Sequence, residues 1–252
     1  MDLPHILEEL AYDMGELPRD AIEAAIVKRT QITPYLLQIL EDAVERIDDI
    51  IEEENYQGHL YAMYLLAQFR EKRAFPLLLR LFCFPGEIPH AIAGDVLTED
   101  LGRILASVCG EDTFSLQEVI ENSSLNEYVR AAAQNSLVIL TGCEQLPRKE
   151  VLDYFQYLFY EGLEKKPSFV WDNLVASACR LYPDEIYDGI FGAYEKRLID
   201  PSFLSLEEVA TILAEEKESF LFDFYQESEL IEDTVGEMEK WLTGFDDNSL
   251  LR

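Results

Sequence analysis

Apolar residues recur along this chain at steps of three and four, the spacing that puts them on one face of a helix. The clearest case is Ser124–Leu140, where Leu125, Val129, Ala132, Ala133, Ser136, Leu137 and Leu140 share a face. Ser124 and Glu127 fit a capping box at its start. Small residues in the middle of that face let a neighbouring helix approach closely. Upstream, Pro18 opens a helix with the stripe Ala21, Ile22, Ala25 and Ile26, and Thr33 caps a second with Pro34 at its first position. The segments Leu60–Ala67 and Ala74–Phe84 are apolar on nearly every side, the mark of doubly packed central helices. Pro85, Gly86 and Pro89 break the chain into a loop, after which Thr98 caps a helix carrying Leu101, Ile104, Leu105 and Val108.

The same pattern predicts helices over Phe114–Ile120, Val151–Leu163, Phe169–Leu181, Asp184–Leu198, Phe220–Glu227 and Ile231–Leu242. A further capping box, Ser205 with Glu208, opens one through Ala214. The last ten residues read as frayed. No stretch alternates as a strand does, so the expected class is all-α. About twelve helices, paired at irregular intervals, predict an α-solenoid of degenerate HEAT-like hairpins in a single domain over residues 1–252.

Charge changes the picture in one respect. Fifty acids against 20 bases give a net charge of −30, while an apolar fraction of 48% still provides a real core. Such a field repels nucleic acid and anionic membrane and attracts a basic protein or peptide. The acids concentrate at the ends: residues 1–54 carry a net −11 and residues 200–252 a net −12, against −7 for 55–199. Polar outer faces are what end caps of a repeat array need, so 1–54 reads as an N-terminal capping hairpin, 55–199 as central repeats and 200–252 as a C-terminal cap.

Cys83, Cys109, Cys143 and Cys179 stand alone and read as buried thiols. The N-terminus lacks the basic and apolar regions of a secretory signal, and no apolar run reaches membrane-span length, so the expectation is a cytoplasmic protein.

Three stretches carry a family resemblance. They are Leu65-Leu-Ala-Gln-Phe-Arg-Glu-Lys-Arg-Ala-Phe-Pro-Leu-Leu78; Gly94-Asp95 with Thr98-Glu-Asp-Leu-Gly-Arg-Ile-Leu-Ala-Ser-Val108; and Glu127-Tyr-Val-Arg-Ala-Ala132. Together they resemble a bacterial family of HEAT-like helical-repeat proteins of unknown function, over about Tyr61 to Pro201. The resemblance implies a helical-repeat fold and no activity. Some relatives end in a Cys/His-rich zinc-binding tail, and no cysteine follows Cys179 here.

Candidate chemistry is sparse. His90, Asp95, Glu99 and Asp100 surround a loop entering a helix and could hold a divalent cation. Against that, Glu99 and Asp100 suit the helix dipole, and Glu99 can pair with Arg103. Gly102 inside that helix points to close helix approach. Trp171 and Asp172 offer either a partner anchor or a core stripe, and the aromatic run Tyr154–Tyr160 covers both sides of its helix. No P-loop, Gly-x-Ser-x-Gly or Gly-x-Gly-x-x-Gly occurs. The expected role is a protein-binding scaffold whose groove is lined by Arg103, Arg130, Trp171 and Asp172, with no cofactor. The alternative is an enzyme or a divalent-metal or small-ligand protein centred on Asp95–Arg103.

Overall fold

A computed structural model describes residues 1–53 and 55–243. Over these residues the protein is all-helical, with seventeen α-helices and, in place of any strand, one isolated bridge between Tyr12 and Tyr56. The first third holds α1 (Leu3–Glu9), α2 (Arg19–Val27), α3 (Arg29–Glu45), α4 (Ile47–Glu52), α5 (Gly58–Gln68) and α6 (Ala74–Phe82). The middle holds α7 (Ile88–Ala93), α8 (Val96–Glu99), α9 (Leu101–Val108), α10 (Thr113–Glu121), α11 (Glu127–Gly142) and α12 (Arg148–Tyr157), which ends in a π-helical turn, Leu158–Gly162. The last third holds α13 (Phe169–Arg180), α14 (Tyr187–Glu195) behind a 3₁₀ turn at Asp184–Ile186, α15 (Leu206–Leu213), α16 (Lys217–Glu227) and α17 (Thr234–Thr243).

The excess over twelve comes from short helices that periodicity misses. In α1, the Asp2 carboxylate caps the His5 amide at 3.1 Å and Pro4 sits in the first turn, where a missing N–H costs nothing. The same tolerance lets Pro89 start α7, a segment the breakers had marked as loop. Within α3, Thr33 is not a cap: its hydroxyl donates back to the Arg29 carbonyl at 2.7 Å, and the helix runs through Pro34. Both Pro34 and Thr30 are exposed, so water can reach the carbonyl that Pro34 leaves without a donor.

Two other caps differ as well. Asn126, not Ser124, caps α11, its Oδ1 accepting from the Tyr128 amide at 2.8 Å while its Nδ2 donates to the Gly86 carbonyl at 2.6 Å. One amide thus serves the helix end and a distant loop together, which Ser124 cannot do. Thr98 lies inside α8, and Asp100 precedes α9 without a side-chain cap bond. The Ser205–Glu208 capping box is present in full at α15.

A row of helices organises the centre. α3 packs on α5 and α6, α5 on α9, α9 on α11, and α11 on α10 and α13. Every residue of α5 from Tyr61 to Ala67 is buried. Gly102 explains how close α9 and α11 come: a Cβ there would lie 3.0 Å from Asn135 Cβ and 3.1 Å from the Ala132 carbonyl oxygen. The roughly 1 kcal/mol that a mid-helix glycine costs is offset by that contact. The buried hydrophobic residues form one cluster from Ile6 to Met238. Cys109 and Cys179 belong to it, and burial pushes their thiols up to about 11 and about 12.

The acidic C-terminal segment crosses the row in the opposite direction to the chain. After α16 it runs extended through Ser228–Asp233 before α17, which packs on α2 and α5. Leu230, Ile231, Val235 and Met238 are buried against the row. Polar bonds fix the register: the Ile231 amide donates to Ser107 Oγ at 3.0 Å, and the Thr234 amide and hydroxyl donate to Gln68 Oε1 at 3.0 and 2.6 Å. The Trp241 indole N–H donates to Tyr64 OH at 2.9 Å, and Arg19 pairs with Glu239. Residues from 244 onward, including the end expected to fray, lie outside the described part, as does Glu54.

Candidate functional site

Where the C-terminal segment leaves α16 and meets the row, it walls off a cleft. The cleft has two adjoining hollows that share Arg180, Glu227 and Ser228. The first, about 280 Å³, is lined on the row side by Glu99, Gly102, Arg103, Asn135 and Ile139. The second, about 440 Å³, is lined by Glu215, Phe220, Asp223 and Phe224 of the α15–α16 side. Gly142 sets the wall: a Cβ on it would stand 2.0 Å from Ser228 Oγ, so only glycine lets Ser228 seat there.

Charge is unevenly satisfied inside this cleft. Arg103 is saturated. Its guanidinium bonds Asp100 Oδ1 at 3.2 Å, Glu229 Oε1 at 3.0 Å and Glu237 Oε1 at 2.9 Å, and burial leaves its side chain 16% exposed. Burial would raise the Glu237 carboxyl, but hydrogen bonds from Arg103 and Lys240 outweigh it and hold the group below the usual carboxylate range. Asp100 also accepts from Tyr64 OH at 2.6 Å, and with this hydroxyl bonded in turn to Trp241 the network clamps the C-terminal segment to α5 and α9.

Arg180 is the opposite case. It stands in the last turn of α13, and its guanidinium forms no hydrogen bond or ion pair among the described residues. Its side chain reaches solvent, yet the surrounding walls desolvate the guanidinium enough to lower its pKa. Glu99, Glu215, Asp223 and Glu227 face the same cleft, and none of them forms an ion pair among the described residues. Asn135 accepts at Oδ1 from Ser177 Oγ at 3.0 Å and from Asn173 Nδ2 at 3.3 Å, which leaves its own Nδ2 to point elsewhere.

The residues expected to line a groove are scattered by the fold. Arg103 alone reaches the cleft. Arg130 is 2% exposed and spent inside: its Nε donates to the Ile120 carbonyl at 2.8 Å, and its fork grips Glu164 at 2.7 and 2.9 Å. Trp171 is fully buried, its indole N–H donated to the Glu164 carbonyl at 2.9 Å, so the core-stripe reading of it holds and the anchor reading is corrected. Asp172 is half-buried and accepts from the Asp200 amide at 2.7 Å, with burial raising its pKa. In the aromatic run, Phe155 and Phe159 are core, Tyr154 and Tyr157 bond Glu121, and Tyr160 is exposed.

The divalent-cation reading loses its geometry. Asp95 is exposed, Glu99 faces the cleft, Asp100 is buried against Tyr64 and Arg103, and His90 lies exposed on α7. Among the described residues no group of three His, Cys, Asp or Glu side chains is placed to hold a metal ion. The expected Glu99–Arg103 pair is likewise replaced, because Arg103 turns to Asp100 and to the C-terminal segment. Sequence reasoning passed over Arg180, although one signal was available. Its helical neighbours three and four residues back are Ser177 and Ala176, so no acid on its own helix can pair with it.

The model of the family described as "Protein of unknown function (DUF1186)" matches residues 1–245. The chain belongs to this family. Two relatives, each described as "Uncharacterized protein", come from Chlamydia muridarum (strain MoPn / Nigg) and Chlamydia trachomatis serovar D. Each is 58% identical over 246 residues, which cover 97% of this chain and 98% of the relative. The family match takes in both acidic ends as well as the Tyr61–Pro201 stretch. No solved structure matches. Among the described residues no helix is long and apolar enough to cross a membrane.

Proposed function

We propose that the protein is a cytoplasmic binding scaffold: one helical domain, with hairpins stacked as in a HEAT-like solenoid, whose cleft at Arg180 receives a cationic segment of a protein partner. The observation that carries this reading is the set of carboxylates, Glu99, Glu215, Asp223 and Glu227, that line one cleft and form no ion pair among the described residues. An unpaired carboxylate in a concave site keeps both oxygens available to Lys or Arg donors, and nearby Phe220 and Phe224 supply apolar area for the stem of such a side chain. The overall −30 charge would speed the encounter with a basic partner.

The test is titration of fluorescein-labelled, C-terminally amidated Lys/Arg-containing peptides by anisotropy at two salt concentrations. Binding should weaken as salt rises, because screening sets in over about 10 Å at 0.1 M. The double variant Asp223→Asn/Glu227→Gln should weaken it at least tenfold. Peptide binding indifferent to both salt and the double variant would refute the cleft as the site.

A further inference from the structure

Arg180 poses a question that the acidic cleft alone does not answer. In a chain with 50 acids and 20 bases, a guanidinium that lines a cleft together with Glu99, Glu215, Asp223 and Glu227 has carboxylates along the same walls to turn to. Arg148 does, gripping Glu185 at 2.7 Å through two nitrogens, and Arg130 grips Glu164 the same way. Among the described residues Arg180 does not, although Glu227 and Ser228 line both hollows beside it. Its position at the C-terminus of α13 favours a cation through the helix dipole, but that interaction uses none of its five N–H donors.

We infer that Arg180 receives a carboxylate from the ligand, and that the ligand is the free C-terminus of a peptide with a Lys or Arg close to its end. This deepens the scaffold reading and rests on it. A carboxylate suits the planar fork of an arginine bidentately, and the unengaged Asn135 Nδ2 offers a further donor in the same hollow. A lone anion would be repelled by Glu99, Glu227 and the field of the whole chain. A ligand that also brings a cation satisfies those carboxylates and Arg180 together, and so fits where a phosphate dianion would meet four like charges. The two hollows, about 280 and 440 Å³, hold a few residues rather than a folded domain. Phe220 and Phe224 leave room for an apolar side chain between the charged ends.

The experiment compares two pools of fluorescein-labelled tetrapeptides containing one Lys, identical except that one ends in a free carboxylate and the other in an amide. They are titrated against the whole protein and against Arg180→Gln and Arg180→Lys. The free-acid pool should bind at least tenfold more tightly than the amide pool. Arg180→Gln should erase that difference while leaving the far-UV helix signal unchanged, and Arg180→Lys should keep part of the preference. Equal affinity of both pools for the wild-type protein would overturn the carboxylate assignment and leave cation recognition standing. Binding of neither pool would overturn both.

Discussion

Arg130 and Arg180 lie on the neighbouring helices α11 and α13, and the fold treats them in contrary ways. Arg130 is locked between the Ile120 carbonyl and the Glu164 carboxylate, and Trp171 bonds the same residue's carbonyl. That region is a closed account of donors and acceptors, built to hold the α12–α13 connection against α11. The Arg180 cleft, lined on one side by α16 and Ser228, leaves the Arg180 donors and the acids beside them without ion pairs among the described residues. The difference separates an arginine that the fold uses for itself from one that the proposed ligand would engage.

The largest effect belongs to the closed region. Arg130→Met keeps the side-chain volume but strips Glu164 and the Ile120 carbonyl of their partner. Because Glu164 is about one-third exposed, it can recover some hydration, and the expected loss is about 3 kcal/mol in chemical denaturation. A loss under about 1 kcal/mol would mean that the pair is peripheral.

Second is the wall of the open region. Gly142→Ala puts a methyl into Ser228, and the displaced C-terminal segment should cost roughly 1–3 kcal/mol despite the gain in helix propensity. Adding Ser228→Gly should restore most of it; if it does not, the clash is not what Gly142 prevents.

A third test separates the two regions by pH. Hydrogen bonds from Arg130 hold the Glu164 carboxyl below the ordinary range. A depressed folded-state pKa contributes stability that is present above the unfolded value, about 4.3, and is lost as pH falls through the folded value. Glu164→Gln should therefore flatten part of the stability loss below about pH 4.3, measured as Tm against pH, and Arg180→Gln should leave that limb unchanged. The smallest effect is on stability at neutral pH, where Arg180→Gln should fall within about 0.5 kcal/mol of wild type, since its guanidinium makes no bond among the described residues. A larger loss would place Arg180 with Arg130.

Much of the helical content was legible in the chain. The stripes of α11 and α13 follow from period, α5 and α6 from runs apolar on nearly every side, as helices packed on several sides need, and Gly102 pointed to a close approach. Short helices were not legible: α1 is stabilised by a cap, a tolerated proline and packing on α2, and α7 by a tolerated proline and packing on α4, α6 and α8, not by a long stripe. The cap of α11 moved from Ser124 to Asn126 because the Gly86 carbonyl, forty residues away, rewards the amide. Of the residues proposed to line a groove, only Arg103 reached one, since buried and exposed polar positions look alike until the partners are known.

By itself the sequence determined an all-helical chain with ample apolar surface and strongly acidic ends, because helix period, propensity and charge are local properties. The tertiary structure alone decided that the acidic C-terminal segment crosses the row to reach α2 and α5. It also decided that Arg103 clamps this segment while Arg180 has no side-chain partner among the described residues. Those outcomes rest on contacts between residues up to 220 positions apart, such as Arg19 with Glu239, and distant pairing carries no periodicity for a sequence to display.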